Sequence, residues 1–450
     1  MRIVIVGGGR VGRELASRLS EKQQEVVIVE KDPEVAKELT RKLDILVIDE
    51  DGANMAALEK AGIRGTEIFI AVTSIDELNL MACMMADRAG VPITIARVRN
   101  PEGFSNIADT GFSKDEIGVD YVINPERELA LEISKMIHFP DAEEIEYFAG
   151  ERIMLVSVTV GEDAEITGQT LNDMPLPPEC IIAGIKKRDD RFIFPSGKDT
   201  VETGDRVYLI GNAKNMRKAS WLIHHEETMI KTVVILGGEN TGAYLASILE
   251  NDPERKFTVK LIDKNENRSE ELIRKLGKTI IIHGNHSELA YFNKEEIAEA
   301  DALIAVTGDD RTNIVASLMG HKLGAKKVIS EISNNEYAET YNISGIKNYI
   351  NSHLITASRI LRLTRKGDIL SLSHLKEENV EAIELVVNPS CRAAGKKVRE
   401  AKLPAGVLIG TIFRNGEIIV PGGDTVLEPG DDLVIITRTS IRHKVESYFC

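Results

Sequence analysis

An internal duplication constrains this chain more than any other feature of its sequence. Residues 3–12 read IVIVGGGRVG and residues 233–242 read VVILGGENTG, so a glycine-rich loop recurs 230 positions later (237 − 7). Further along, EIFIAVTSIDELN (67–79) matches DALIAVTGDDRTN (301–313). We therefore expect the 450 residues to fold as two similar halves.

Each half begins with apolar runs that alternate with helical patterns. The runs are RIVIV, EVVIV, DILVI, EIFIAV and PITIARV in the first half, and TVVIL, TVKLI, KTIII, DALIAV and KKVISEI in the second. Short apolar runs separated by helices are typical of buried parallel strands in βαβ units. The predicted fold class is α/β, with two Rossmann-like domains that each contain a doubly wound parallel sheet.

A smaller α+β domain is predicted after each parallel-sheet domain. RFIFPSGKDTVETGDRVYLIG (191–211) matches GEIIVPGGDTVLEPGDDLVII (416–436), and both segments read as short strands joined by Gly-Asp turns. The predicted domains are residues 1–138, 139–225, 230–366 and 367–450.

The first glycine loop has the sequence context of a dinucleotide site. Gly7 permits a tight turn, Gly9 lets a pyrophosphate approach the backbone, and Gly12 lets the helix pack on the strand. The helix N-terminus favours phosphate, and Glu30 at the end of the next strand suits ribose hydroxyls. NAD(H) is favoured over NADP(H), and ATP or ADP also fits. The candidate binding residues are Gly7, Gly8, Gly9, Arg10, Val11, Gly12, Glu30, Thr73, Ser74 and Arg97.

Two alternatives stay open at this first site. The loop could serve only as a turn in a Rossmann-type sheet. Thr73 and Ser74 follow the fourth strand, where ligands of open α/β sheets bind, but their hydroxyls could equally cap the following helix.

The second loop is a changed copy of the first. Its candidate residues are Gly237, Gly238, Glu239, Asn240, Thr241 and Asp263. Glu239 replaces Gly9, Glu331 replaces Arg97, and a carboxylate repels each nearby phosphate charge by about 1 kcal/mol or more. A retained scaffold with an altered site and a ligand without phosphates both stay open.

Composition excludes several classes of function. The net charge of −15 argues against a nucleic-acid partner, and the sequence contains no apolar stretch of roughly 18 residues that would span a membrane. Four widely separated cysteines indicate a cytoplasmic protein. His283 and His286 are interpreted as part of a polar loop, and we expect no metal.

The sequence offers no acid–base pair beside the nucleotide loops, so we expect a binding protein that is not an enzyme. An NAD-dependent oxidoreductase with an unidentified substrate is the main alternative. A structural adaptor without a functional nucleotide site is a third.

The tandem order of these motifs resembles the RCK domains that regulate K⁺ conductance. Two RCK_N–RCK_C pairs in one chain resemble the TrkA family of Trk-type potassium uptake systems. The resemblance implies a gating-ring subunit that binds NAD(H) or ATP/ADP and controls a separate, TrkH-like membrane K⁺ channel subunit. It also implies a cytoplasmic protein, peripheral on the inner face of the membrane through that partner. Assembly as a homotetramer would use the crossover helices, here 125–138 and 352–365.

Overall fold

The chain forms two compact units, each built from both halves of the sequence. The computed structural model describes residues 1–100, 118–162, 164, 166–223, 229–253, 255–284, 299–346, 348–364, 369–375 and 379–449. One unit comprises Met1–Ile137 and Ile230–Thr364, and the other comprises His138–Met229 and Arg365–Cys450. The predicted domain boundaries stay a prediction.

The first unit contains two parallel sheets with the same topology. The strands of one sheet are β1 (Arg2–Val6), β2 (Glu25–Glu30), β3 (Leu46–Asp49), β4 (Ile68–Ala71), β5 (Ile93–Arg97) and β6 (Tyr121–Ile123), in the order β3-β2-β1-β4-β5-β6. The strands of the other are β12 (Thr232–Leu236), β13 (Thr258–Asp263), β14 (Ile280–His283), β15 (Ala302–Ala305), β16 (Lys327–Ile332) and β17 (Tyr349–Asn351), in the order β14-β13-β12-β15-β16-β17. The predicted α/β fold class is confirmed, and a sixth strand extends each sheet.

Helices connect these strands. In the first half they are α1 (Arg10–Glu21), α2 (Pro33–Lys42), α3 (Met55–Lys60), α4 (Asp76–Arg88) and α5 (Pro125–His138), with a 3₁₀ turn at Ile63–Gly65. In the second half they are α7 (Asn240–Glu250), α8 (Glu266–Lys275), α9 (Asp310–Lys322), α10 (Ala338–Ile343) and α11 (Ser352–Leu363), with a 3₁₀ turn at Asn335–Tyr337. Within the described residues, none of the helices has the length and apolar character needed to cross a membrane.

The two crossover helices are exchanged between the sheets. Leu129 and Ile133 of α5 are buried in the same cluster as Val233 and Leu245 of the second half. Ile360 of α11 lies in the cluster that holds β1 and α1 of the first half. Burying one such side chain contributes about 1.5–3 kcal/mol. Each parallel sheet therefore depends on a helix that follows the other one.

The second unit contains two five-stranded antiparallel sheets, again with matching order. The strands of the first are β7 (Ala142–Phe148), β8 (Ile153–Thr159), β9 (Cys180–Lys186), β10 (Phe192–Ile193) and β11 (Arg206–Asn212), in the order β10-β9-β11-β8-β7. The strands of the second are β18 (Ile369–Leu375), β19 (Val380–Val386), β20 (Val407–Arg414), β21 (Glu417–Ile419) and β22 (Asp432–Arg438), in the order β18-β19-β22-β20-β21. The helices are α6 (Ala213–Ile223) and α12 (Arg442–Phe449), with a 3₁₀ turn at Thr439–Ile441.

The repeated Gly-Asp motifs of this unit are turns with buried carboxylates. Gly204 has a φ of +81° and Gly430 a φ of +89°, a backbone region that glycine adopts readily. Asp205 accepts a hydrogen bond from Lys187 at 2.6 Å, and Asp431 accepts one from Arg414 at 2.6 Å. Because each buried carboxylate has a cationic partner, these motifs are explained by the stability of the fold.

Candidate functional site

The first glycine loop joins β1 to α1. Gly7 has a φ of +103°, and a Cβ atom there would lie 3.0 Å from the backbone nitrogen of Thr73. A Cβ on Gly12 would lie 1.9 Å from the carbonyl oxygen of Gly7. Both positions therefore require glycine, as the dinucleotide motif predicts.

Gly9 is different, because its backbone does not require glycine. Its φ is −64° and its ψ is −169°, and Glu239 in the second loop has nearly the same angles, −64° and −179°. A Cβ atom on Gly9 would meet no described atom within 4 Å. The change from glycine to glutamate between the two loops thus alters charge and side-chain volume but leaves the backbone path unchanged.

The two predicted ribose acids make equivalent contacts. Glu30 accepts hydrogen bonds from the backbone N–H of Gly8 at 2.6 Å and of Asp32 at 2.8 Å. Asp263 accepts from Gly238 at 2.6 Å and from Asn265 at 2.7 Å. Each carboxylate is therefore held at the end of the second strand of its sheet, beside the glycine loop.

A cavity of about 400 Å³ opens beside the first loop. Eight of the ten residues predicted for the first site contribute to its lining: Gly7, Gly9, Arg10, Val11, Glu30, Thr73, Ser74 and Arg97. Gly8 instead holds Glu30 in place, and Gly12 packs against Gly7. The structure thus brings the predicted residues together at the carboxyl ends of the strands.

The helix-cap interpretation of Thr73 and Ser74 is wrong. The N-cap position of α4 is Ile75, whose side chain has no hydrogen-bonding atom. The Thr73 hydroxyl donates instead to Oδ1 of the buried Asn79 at 2.7 Å, and Asn79 donates to the carbonyl oxygen of Arg97 at 2.8 Å. The shared Thr and Asn of the repeat therefore tie the end of β4 to the end of β5.

A second cavity of about 600 Å³ lies beside the second loop. Five of the six residues predicted there contribute to its lining: Gly237, Glu239, Asn240, Thr241 and Asp263. The sixth, Gly238, holds Asp263. The Glu239 carboxylate points towards the end of β15, since a Cβ on Gly308 would lie 3.2 Å from its Oε2 atom.

The expectation that the second site lacks the arginine of the first is wrong. Arg97 and Arg99 of the first half line the second cavity as well as the first. They reach it because β5 and the exchanged helix α5 border the second loop. Lys264 and Arg268 add two further cations to the lining, so that Glu239 and Glu331 do not make the second cavity purely acidic.

Arg97, Arg99 and His353 line both cavities, and Arg97 is the buried one of the two arginines. Its side chain is 7% exposed, and within the described residues its Nε atom has no hydrogen-bond partner. Burial lowers the pKa of the guanidinium, which nevertheless stays charged at neutral pH. The carboxylates of Glu126 and Asp76 favour the charged form of Arg97, whereas its burial and the neighbouring Arg99 oppose it, so an anion bound beside Arg97 would stabilise it further.

Two other ionisable groups between the loops have shifted pKa values. Burial raises the pKa of Glu331 to about 7, and the carboxylates of Asp310, Glu126 and Glu239 add to this effect. Burial and the neighbouring Arg10 lower the pKa of His353 to about 4. His353 is therefore neutral at pH 7, and its Nε2 lies 3.3 Å from Nη1 of Arg10.

Several residues of these cavities are not among those predicted from the sequence. His353 lines both of them, and Glu126, Lys264 and Arg268 line the second. Glu126 and His353 are the second residues of the exchanged helices, so only the exchange places them here. Arg268 could have been noticed from the sequence, because its counterpart in the first half is Val35.

The histidine pair that was interpreted as a polar loop is only partly described. His283 ends β14 and lies 3.1 Å from the carbonyl oxygen of Lys264, whereas His286 falls outside the described residues. Among the residues with described positions, no group of three His, Cys, Asp or Glu side chains could hold a metal ion.

Domain families match most of the chain, in the tandem order seen in the fold. The TrkA-N domain matches residues 3–125 and 233–352, and the TrkA-C domain matches residues 155–223 and 382–449. The chain belongs to the TrkA family. Its glycine loops therefore lie in two TrkA-N domains, and the exchanged helices begin where the two TrkA-N matches end, at residues 125 and 352. The buried Gly-Asp turns lie in two TrkA-C domains.

Curated relatives agree with this family, and a solved structure has a similar fold. The chain is 31% identical to the Trk system potassium uptake protein TrkA homolog 1 of Methanosarcina mazei, with 100% of both chains covered. It is 31% identical to the Trk system potassium uptake protein TrkA of Haemophilus influenzae, with 97% of this chain and 95% of the relative covered. The NAD-bound GsuK channel is similar in fold, with a TM-score of 0.61 at 19% identity, covering 100% of this chain and 78% of the channel chain.

Proposed function

We propose that this chain is the nucleotide-binding regulatory subunit of a Trk-type potassium uptake system. Adenine nucleotide, as NAD(H), ATP or ADP, binds at the first glycine loop, with its ribose on Glu30 and its phosphates towards Arg97. A second nucleotide binds beside Asp263. Binding biases the shape of the TrkA-N pair, and this shape controls a separate, TrkH-like membrane K⁺ channel subunit.

The buried Arg97 is the observation that carries this proposal. Its guanidinium lies between two cavities that each hold a glycine loop, a free helix N-terminus and a ribose-type carboxylate. Phosphate would supply a hydrogen-bond acceptor for the Nε atom of Arg97, which has none among the described residues, and would add to the negative charge of Glu126 and Asp76. Because one arginine belongs to both sites, a ligand at either site changes the electrostatics of the other, which is the basis of coupling between sites.

The link to potassium rests on the family and on the names of its members. Relatives from bacteria and archaea are named potassium uptake proteins, and the NAD-bound structural neighbour is a channel. We infer that this chain binds the nucleotide without turning it over, and that it acts in the cytoplasm at the inner face of the membrane through its channel partner.

We further propose that four copies assemble into a ring. The crossover helices α5 and α11, which the family resemblance implies for assembly, pack on the two parallel sheets of one chain, so we propose other helices for the contacts between copies. α4 and α9 lie at matching positions of the two parallel-sheet domains, and each exposes apolar side chains. Met81 is 51% exposed on α4, and Val315 and Leu318 are 44% and 40% exposed on α9. Contact between copies would bury these side chains. Light scattering should give four times the chain mass of 49.6 kDa, and the mass of a monomer would contradict the ring.

Potassium flux tests the regulatory function. The channel subunit is reconstituted in vesicles with and without this chain, and flux is measured with NADH, ATP, ADP or no nucleotide. We expect nucleotide to change the flux only when this chain is present. Flux that ignores nucleotide in every condition would contradict the proposal.

Nucleotide turnover separates this function from the oxidoreductase alternative. The purified chain is mixed with NADH and a set of small carbonyl compounds, and NADH absorbance is followed. The proposal predicts no consumption beyond the rate without protein. Consumption that depends on one carbonyl compound would show that the chain is an oxidoreductase.

A further inference from the structure

The second nucleotide cavity lies next to a third cavity. This side cavity, of about 520 Å³, runs along α7 and α8 and shares Arg99, Asn240 and Arg268 with the second cavity. Its other described lining residues include Ser247 and Lys275. A ligand bound beside Asp263 can therefore extend past Asn240 into it.

The described lining of the side cavity is positively charged. It contains the cations Arg99, Arg268 and Lys275 but only one carboxylate, Glu271. Glu271 accepts from Arg268 at 2.7 Å and lies 3.1 Å from Lys275. Arg268 is also anchored by a 2.9 Å hydrogen bond from its Nε to the carbonyl oxygen of Gly238. Arg99 lies 3.5 Å from Glu126, which lines the second cavity. The lining of the side cavity itself has more cations than carboxylates, which favours an anionic ligand.

In the first half, an arginine side chain fills the space that corresponds to the side cavity. Ala243 and Arg268 line the side cavity, and their counterparts in the first half are Arg13 and Val35. There, Arg13 extends across the position and makes two hydrogen bonds to Glu38, at 2.8 and 2.9 Å. In the second half, Ala243 leaves this space open, and the arginine is Arg268 on α8, where the first half has Val35.

The direction of the Glu239 side chain gives a reason why the phosphates of a second nucleotide would enter the side cavity and would not cross the glycine loop. Its carboxylate lies towards Gly308, at the end of β15, where it would repel phosphates that cross the loop. The side cavity begins instead at Asn240, the first residue of α7, where free N–H groups and the helix dipole favour anions. Gly238 connects the two regions, since its N–H donates to Asp263 and its carbonyl oxygen accepts from Arg268.

We propose that the side cavity is a phosphate subsite of the second nucleotide site. It holds the terminal phosphates of ADP or ATP on Arg99, Arg268 and Lys275. The ribose and the phosphate next to it stay in the second cavity, at Asp263 and towards Arg97. The proposal rests on the proposed function, because it assumes that nucleotide binds in the TrkA-N domains. It makes the second site selective for the length of the phosphate chain.

The first test is calorimetric titration of AMP, ADP and ATP into the full chain and into Lys275→Gln. Lys275 is 49% exposed at its side chain, so we expect the variant to fold. At one of the two sites, ATP should bind about tenfold more weakly to the variant, the effect of roughly one charge-assisted hydrogen bond. AMP should bind equally well. The matched control is Lys42→Gln, at the corresponding position of the first half. This variant should change neither the affinity for ATP nor the affinity for AMP.

A second pair of variants tests the cavity by repulsion. Ser247→Glu introduces a carboxylate into the side cavity and should weaken ATP binding at the same site as Lys275→Gln. Ser17→Glu, its counterpart in the first half, should not. If ATP binds two sites and neither Lys275→Gln nor Ser247→Glu changes its affinity, the subsite is refuted while the proposed function stands.

Two further ligands separate the remaining explanations. The first ligand is tripolyphosphate, titrated without nucleotide. If it binds the native chain but not Lys275→Gln, while the affinity for ATP is the same in both, the side cavity binds a free phosphate chain. That result would overturn the assignment of the cavity to a nucleotide. If ATP, ADP and NADH bind at neither loop, the proposed function fails first and the subsite with it.

Discussion

Replacing Gly9 with glutamate should convert the first nucleotide loop into an electrostatic copy of the second. The structure allows this change without cost to the fold. The backbone angles of Gly9 match those of Glu239 within 10° in ψ (179 − 169), and a Cβ on Gly9 meets no atom within 4 Å in the described part of the chain. We therefore expect Gly9→Glu to unfold at the same temperature as the native chain when no nucleotide is present.

The expected loss of affinity follows from charge alone. A carboxylate about 5 Å from one phosphate charge costs about 0.8 kcal/mol at the dielectric constant of water and about 3 kcal/mol at an effective dielectric constant of 20. Since about 1.4 kcal/mol corresponds to a factor of ten, NADH should bind the first site roughly four-fold to one-hundred-fold more weakly.

Calorimetric titration of NADH into Gly9→Glu and Gly9→Gln separates charge from size. Glutamine has nearly the same volume as glutamate but carries no charge, so its affinity should stay much closer to that of the native chain. Equal weakening by both variants would show that side-chain size controls the loop. Unchanged affinity in Gly9→Glu would refute the passage of phosphates over Gly9.

Three further changes test the fold and the charges between the loops. Leu129→Ala, in the exchanged helix α5, should lower the free energy of unfolding by about 2–5 kcal/mol in a denaturant titration, while the exposed Arg127→Ala on the same helix should change it little. Because the pKa of Glu331 is raised to about 7, the native state loses stability as pH rises from about 4.5 to 7, so Glu331→Gln should be about 1–2 kcal/mol more stable than the native chain at pH 8 and equal to it at pH 5. The pKa of His353, lowered to about 4, makes stability fall as pH drops from about 6.5 to 4, and His353→Asn should be less sensitive to acid over that range.

The strands and the glycine loops could be predicted from the sequence because their causes are local. Buried parallel strands require apolar runs, and the turn at Gly7 and the packing of Gly12 leave no room for a side chain. The positions of the carboxylates Glu30 and Asp263, which we predict to bind ribose, follow from the sequence for the same reason, since each ends an apolar run at a set distance from its loop. The resemblance to RCK domains implies the crossover helices at 125–138 and 352–365. The structure has α5 over the first of these ranges, and α11 ends at Leu363, two residues before the expected end.

The composition of the second cavity could not be predicted in the same way. Comparing aligned positions replaces Arg97 with Glu331 and indicates an acidic site, but the exchange of α5 and α11 places Arg97 beside both loops. That exchange depends on which apolar helix face packs on which sheet, and both helices have suitable faces. The role of Thr73 could not be predicted from the sequence either. A hydroxyl that contacts a ligand and a hydroxyl that holds a buried asparagine look alike in sequence.

Calorimetric titration of ATP, read for stoichiometry in the native chain and in Arg97→Gln, tests most directly the claim that one buried arginine serves two nucleotide sites. The account predicts two equivalents of ATP per chain, with both affinities weakened in Arg97→Gln and neither weakened in Arg88→Gln, which changes an exposed arginine of α4. One equivalent per chain, or an Arg97→Gln variant in which only one site weakens, would contradict it.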